Sequence, residues 1–222
     1  PAVLRPGERA FDAWTYLPDG YRAIDTMAHF TCVGSTRQDL KKSLDQMAQA
    51  NVHNVLALRG DPPQGESEFK PAEDGLAYAS ELITFIKENG YDFCIGGACY
   101  PETHPDSNGD QDQDLENLKK KVDAGAEFLI TQLFFDNEAY FNFRDRARKV
   151  GISVPIIPGI MPVTNVAQIE RFTNLCGTTL PDSLHDALLE RQEDADAVLQ
   201  LGVAYATAQC AELLRHGAPG IH

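Results

Sequence analysis

Asn54-Val55-Leu56-Ala57-Leu58 is an apolar run of strand length that breaks abruptly into Arg59-Gly60-Asp61 and then into Pro62-Pro63. The prolines forbid its continuation, because they fix φ and carry no backbone N–H. A cation, an amide without a side chain and a carboxylate therefore arrive together at one strand end, where parallel α/β folds keep their chemistry. The same residue types also suit an ordinary turn, so the pattern alone leaves both readings open. Other candidates have bland readings of their own. His29, inside a second apolar run, reads by itself as a satisfied core histidine. Tyr78 reads as a core aromatic, Lys119-Lys120-Lys121 as a solvated helix face, and Gln168 as helix surface. Glu102 and His104 suggest a metal, but no further His or carboxylate stands at a recognisable ligand spacing. Gln132 is different: after Phe128-Leu129-Ile130-Thr131 an amide is awkward without a ligand or hydrogen-bond partner.

The elements that must position these groups follow a repeated pattern. Strand-like runs lie at Thr26 to Val33, Asn54 to Leu58, Phe93 to Tyr100, Phe128 to Phe135 and Val154 to Ile160, each ending in polar or turn residues. Helical periodicity separates them: 36–50 opens with Ser35-x-x-Gln38, a capping-box pattern, and sets Leu40, Leu44 and Met47 on one face. Residues 74–89, 112–125 and 137–150 read the same way, and further helices are expected near 164–176, 181–190 and 193–216. Alternation of strand and helix means βα units around a parallel sheet. A doubly wound sheet would usually show a glycine-rich phosphate turn after its first strand, and no GxGxxG occurs. A (β/α)₈ barrel fits better, although five strands are fewer than the eight that close one.

Length allows one domain with a sizeable core, and no Ser/Gly-rich linker divides it. No run reads as long and apolar enough to span a bilayer, and no signal-peptide pattern stands at the start, so a cytoplasmic protein is expected. The five cysteines are odd in number and lack CxxC spacing, which suits reduced thiols. A net charge of −14 disfavours nonspecific binding to nucleic acid or anionic membrane. An anionic small ligand held by a local cationic cluster remains compatible with it.

His29-Phe30-Thr31-Cys32, Leu58-Arg59-Gly60-Asp61, Tyr100-Pro101-Glu102-Thr103-His104-Pro105, Lys121-Val122-Asp123-Ala124-Gly125-Ala126, Thr131-Gln132-Leu133-Phe134-Phe135-Asp136 and Pro158-Gly159-Ile160-Met161-Pro162 occur in that order. Together, from about Thr26 to His222, they closely resemble the flavin-dependent methylenetetrahydrofolate reductase family. The resemblance implies a (β/α)₈ TIM barrel, here incomplete and covering strands three to seven, with residues 1–25 an irregular N-terminal segment and 26–222 the flavin-binding domain. It implies FAD as cofactor, NADH or NADPH as donor, 5,10-methylenetetrahydrofolate as substrate and a homo-oligomer. His29, Arg59, Gly60, Asp61, Tyr78, Ala79, Tyr100, His104, Asp114, Asn117, Lys120 and Lys121 match positions that contact the cofactor. Asp61, Gln132 and Gln168 match substrate contacts, with Asp61 and Gln132 the catalytic pair. A carboxylate there can stabilise the cationic iminium form of the substrate, and an amide offers donor and acceptor together to a pterin edge. Asp114, Asn117 and Lys121 share a helix face at i, i+3 and i+7.

The departures are specific. The family's Glu-Phe-Phe-Pro-Pro type strand, which carries its general acid, has no counterpart, nor does its Thr-Tyr-Gly type turn; Glu8 follows a Pro-Gly pair rather than a strand. The chain reaches Gly220-Ile221-His222 where the family's eighth strand begins. An open sheet of barrel strands would leave two unpaired edges, so a fragment of a longer reductase is the expectation, and a weak catalyst by itself. The alternatives are a flavin- or folate-binding module without turnover, and an unrelated metal-assisted hydrolase using His29, Asp61 and His104.

Overall fold

The computed structural model describes Val3–Leu4 and residues 26–61 and 70–222. The chain divides into two compact units, one of Pro1–Ala98 with Lys120–Glu127, the other of Cys99–Lys119 with Phe128–His222.

In the first unit the strands β1 (Val3–Leu4), β2 (Met27–Thr31), β3 (Asn54–Leu58) and β4 (Cys94–Cys99) pair in sequence order, all parallel. β1 lies within the stretch that the sequence suggested was irregular. Its register places Val3 beside His29 and Leu4 beside Phe30. Two-residue strands carry no periodicity of their own, so only the pairing reveals this one. Helix α1 (Arg37–Gln49) crosses from β2 to β3, and α2 (Ala79–Glu88) from β3 to β4. The first cap lies one residue later than Ser35. Thr36 accepts from the Asp39 N–H at 3.2 Å, and the Asp39 carboxylate accepts from the Thr36 N–H at 3.2 Å and its hydroxyl at 2.6 Å. These bonds hold the Asp39 carboxyl below its usual range. Ser35 is buried instead, its hydroxyl turned to the Val33 carbonyl at 3.3 Å. The core joins Leu40, Leu44 and Met47 of α1 and Leu82, Ile83 and Ile86 of α2 to Phe30, Val55, Ala57 and Ile95. Each fully buried Leu, Ile, Val or Met side chain among these contributes roughly 1.5–3 kcal/mol of hydrophobic stabilisation.

The second unit continues the repeat. Helix α3 (Gln111–Asp123) precedes β5 (Phe128–Thr131), α4 (Asn137–Lys149) leads to β6 (Ile156–Ile157), and β5 pairs with β6 in parallel. Then follow α5 (Val166–Cys176), α6 (Asp182–Leu189) and α7 (Ala195–Arg215). Gly159 accepts the close approach of β5: its N–H bonds the Thr131 hydroxyl at 2.8 Å, and a Cβ there would lie 2.4 Å from the Thr131 carbonyl oxygen. On the other side of the same segment, the His222 carbonyl accepts from Ile160 N–H at 2.9 Å and the His222 N–H bonds Pro158 at 3.0 Å. The last residue thus adds a further rung beside β6, where the sequence placed the onset of another strand.

By length and composition α7 could cross a membrane, contrary to the expectation that no run would qualify. Its inner face is nevertheless committed to protein. Val198, Gly202, Ala206, Gln209 and Leu213 are buried. Gln209 donates to the Phe134 carbonyl at 2.9 Å, and the Tyr205 hydroxyl to Phe135 at 2.6 Å. The whole is an α/β fold of parallel strands alternating with helices, in the manner of a (β/α) barrel with fewer than eight strands among the described residues.

Candidate functional site

In the first unit the ladder between β2 and β3 continues past both strands. Cys32 N–H donates to Leu58 at 3.2 Å and Val33 N–H to Arg59 at 3.0 Å, so the two strand exits descend as one paired ribbon. At the next residue the chain must turn away. Gly60 does so at φ +88°, in the left-handed region, and a Cβ there would sit 2.5 Å from Val33 Cγ1. Both conformation and space demand glycine. Arg59 is half-buried and Asp61 exposed, so the turn delivers a cation and a carboxylate beyond the C-terminal ends of the strands. Behind them Cys32 is fully buried, its thiol 3.5 Å from the Arg59 carbonyl, and burial pushes its pKa up to about 11.

His29 sits in the middle of β2 rather than at its end, level with Leu56 and, one strand further, Gly96. Strand alternation puts these three on the face opposite Phe30, Val55 and Ile95, which pack with the helices. His29 is therefore not part of the helix-facing core. Tyr78 is the N-cap of α2 and 61 % exposed, which overturns its reading as a core aromatic, while Ala79 begins the helix and is buried. Lys120 and Lys121 stand in the last turn of α3. Lys120 is exposed, but Lys121 turns in and donates to the Ala98 carbonyl at 2.8 Å, near the end of β4. The lysine run is not uniformly a solvated face.

In the second unit the loop after β4 is pinned by Asp114. Its carboxylate accepts from the His104 N–H at 2.6 Å and from the Ser107 hydroxyl. His104 Nδ1 accepts from Asp106 N–H at 3.0 Å, which leaves Nε2 to carry the ring hydrogen when the imidazole is neutral, and the ring meets Tyr100 edge-on at 4.5 Å. Asp114 and His104, predicted as cofactor contacts, thus also build one loop; Asn117 lies exposed on α3. A cleft of about 850 Å³ opens beside this loop, lined by Glu102, His104 and Gln111 on one side and Phe143, Arg146 and Lys149 of α4 on the other.

Gln132, just past β5, is half-buried. Its N–H donates to Cys99 at 2.7 Å and its side-chain oxygen accepts from Leu133 N–H at 2.9 Å. Gln168 lies exposed in the first turn of α5, behind the Asn165 cap that accepts its N–H at 2.9 Å. Sequence reasoning missed Glu102 except as a metal temptation, and missed Thr178 and Thr179 altogether. Thr179 donates to the Glu102 carboxylate from its N–H at 3.0 Å and its hydroxyl at 2.6 Å. No local pattern marks a pair separated by so much chain. Among the described residues no group of three or more His, Cys, Asp or Glu is arranged to hold a metal.

Comparison with known proteins agrees with the motif order. The family profile for methylenetetrahydrofolate reductase matches residues 17–222. Methylenetetrahydrofolate reductase (NADH) 1 of Arabidopsis thaliana is 38% identical over 208 residues, 90% of this chain and 35% of the relative. The 5,10-methylenetetrahydrofolate reductase of Pectobacterium carotovorum subsp. carotovorum is 36% identical over 201 residues, 90% of this chain and 64% of the relative. The chain therefore spans between a third and two thirds of the length of these relatives. Among solved structures, an uncharacterised protein from Clostridium thermocellum that binds two copies of 5-methyl-5,6,7,8-tetrahydrofolic acid superposes with a TM-score of 0.55 at 17% identity, over 88% of this chain and 64% of that one. That likeness concerns the fold. Motif order, profile and sequence identity along nearly the whole chain place this protein in the methylenetetrahydrofolate reductase family.

Proposed function

We propose that the protein binds FAD and reduces 5,10-methylenetetrahydrofolate to 5-methyltetrahydrofolate with NADH or NADPH, in the cytoplasm and as a homo-oligomer. The observation that carries this reading is the Arg59-Gly60-Asp61 turn at the C-terminal end of β3 together with Lys121 drawn in to the end of β4. In a chain of net charge −14, Arg59 at the end of β3 and Lys121 held near the end of β4 put two cationic residues at neighbouring strand ends, which suits a group that carries a diphosphate. Arg59, Gly60, Asp61, Tyr78, Ala79, His29, Lys120 and Lys121, all of the first unit, would hold the cofactor. The chemistry that FAD would supply there is hydride transfer between the nicotinamide and the folate. Asp61 supplies negative charge that favours the cationic iminium form of the folate, Gln132 orients the pterin, and Gln168 adds a second polar contact.

The visible spectrum before and after anaerobic reduced nicotinamide tests this. Flavin bands that bleach, and return on adding methylenetetrahydrofolate, are the expected result. A protein that stays colourless with added FAD would sink the proposal. A second reading is flavin and folate binding without turnover. Its signature is a flavin that nicotinamide bleaches and folate never restores.

A further inference from the structure

Gln132 cannot hold its amide at random. Its side-chain oxygen accepts from the Leu133 N–H at 2.9 Å, and only the carbonyl end of an amide can do so. The Nε2 hydrogens must therefore point the other way. Leu133 in turn is held from outside β5, because its carbonyl accepts from the Thr178 hydroxyl at 3.0 Å. Thr178 and Thr179 follow Gly177, which ends α5 in the left-handed conformation at φ +65°, and the Thr178 N–H closes that cap on Thr173 at 2.9 Å. The next residue carries the strongest bonds of the series. Both Glu102 carboxylate oxygens accept from Thr179 N–H at 3.0 Å, and one also accepts the Thr179 hydroxyl at 2.6 Å. Bonds to an ionised acceptor are roughly twice as strong as neutral ones. Thr178 and Leu133 line a narrow crevice with Tyr100, Glu102 and Gln132, with no room for a water molecule, while the Glu102–Thr179 bonds lie exposed at its edge.

We infer that Glu102 and Thr179 form a clasp that fixes the donor orientation of the Gln132 amide through Thr178 and Leu133, and so positions the residue that reads the folate ring. The path runs from carboxylate to Thr179, along one peptide to Thr178, to the Leu133 carbonyl, and across that residue to its N–H and the Gln132 oxygen. Glu102 is a positioning residue: it reaches the substrate only through Gln132. The inference rests on the folate-binding reading proposed above. It also gives a role to a carboxylate that sequence spacing offered only to a metal.

A double-mutant cycle on folate affinity tests it, with 5-methyltetrahydrofolate as the titrant in calorimetry on the full chain. Glu102→Ala should weaken binding about tenfold, which is roughly 1.4 kcal/mol. Glu102→Gln, which keeps one acceptor oxygen, should recover part of the loss. Gln132→Ala should cost at least as much as Glu102→Ala, and the double variant no more than Gln132→Ala alone. Hydrogen exchange should accelerate at Leu133 and Thr179 in Glu102→Ala, because the bonds that hold them are released. Additive losses in the cycle would overturn the clasp while leaving Gln132 as a folate contact. A Gln132→Ala variant that binds folate as well as the parent chain would overturn both the clasp and the substrate role of Gln132. Unchanged exchange at Leu133 would overturn the clasp whatever the affinities.

Discussion

At the residue scale, Gly60 is the position where a single atom decides the geometry. Placing Cβ there demands a left-handed side-chain residue and a contact 2.5 Å from Val33 Cγ1. Gly60→Ala should cost about 1–3 kcal/mol of stability, seen as a lower thermal midpoint, because strained φ and steric crowding add. An unchanged midpoint would mean that the β2 and β3 exits are not tightly paired. Cys32, beneath the same turn, tests its burial. With a thiol pushed up to about 11, only about one molecule in a thousand holds the reactive thiolate at pH 8. Cys32 should be modified far more slowly than Cys210, which is partly exposed, and should label only on unfolding. Peptide mapping after timed alkylation reads the order. The Arg-Gly-Asp sequence announced its turn because glycine and proline are local signals. Whether His29 faced core or cavity was not local: alternation against Phe30 and register with Leu56 and Gly96 decided it.

At the scale of elements, close helix approach depends on one missing side chain. A Cβ on Gly202 of α7 would fall 1.8 Å from the Val163 carbonyl oxygen. Backbone cannot rotate out of the way as a side chain can, so Gly202→Ala should destabilise by about 3 kcal/mol. For a chain of this length that is roughly a 6–12 °C fall in Tm, measured by calorimetry. Tyr91 shows the reverse case, an added bond between elements. Its hydroxyl donates to the Asp45 carboxylate on α1, and burial with that carboxylate pushes its pKa from 10.0 up to about 12. A raised folded-state value contributes stability that is complete below pH 10 and is lost as pH rises towards 12. Tyr91→Phe should flatten the alkaline fall in stability across that window; identical slopes in parent and variant would contradict the coupling. Helix existence was readable from spacing, since apolar residues recurred at helical intervals. The exact cap of α1 was not, because Ser35-x-x-Gln38 and Thr36-x-x-Asp39 both satisfy the pattern. Burial of Ser35 selected the second.

For the whole molecule, charge sets the first-order behaviour. A net charge of −14 repels itself in the compact state, and salt screens that repulsion. The screening length falls from roughly 30 Å at 0.01 M to roughly 10 Å at 0.1 M. Thermal midpoints should therefore rise over that range of sodium chloride, by a few degrees. A falling midpoint would show that local ion pairs such as Lys87–Glu127, 2.8 Å apart, outweigh the general repulsion.

The sequence by itself determined the alternation of strand and helix, the parallel sheet, the strand-end turn and the family. Each rests on short-range periodicity, turn chemistry or an ordered set of motifs. What only the tertiary structure decided lies between residues far apart in the chain. Val3–Leu4 became a strand because Met27–Thr31 offers a partner, Lys121 left solvent for the Ala98 carbonyl, and Glu102 found Thr179 across 77 positions. Hydrogen bonds of this kind depend on where folding brings two groups, and neither residue type carries a local preference that records its partner.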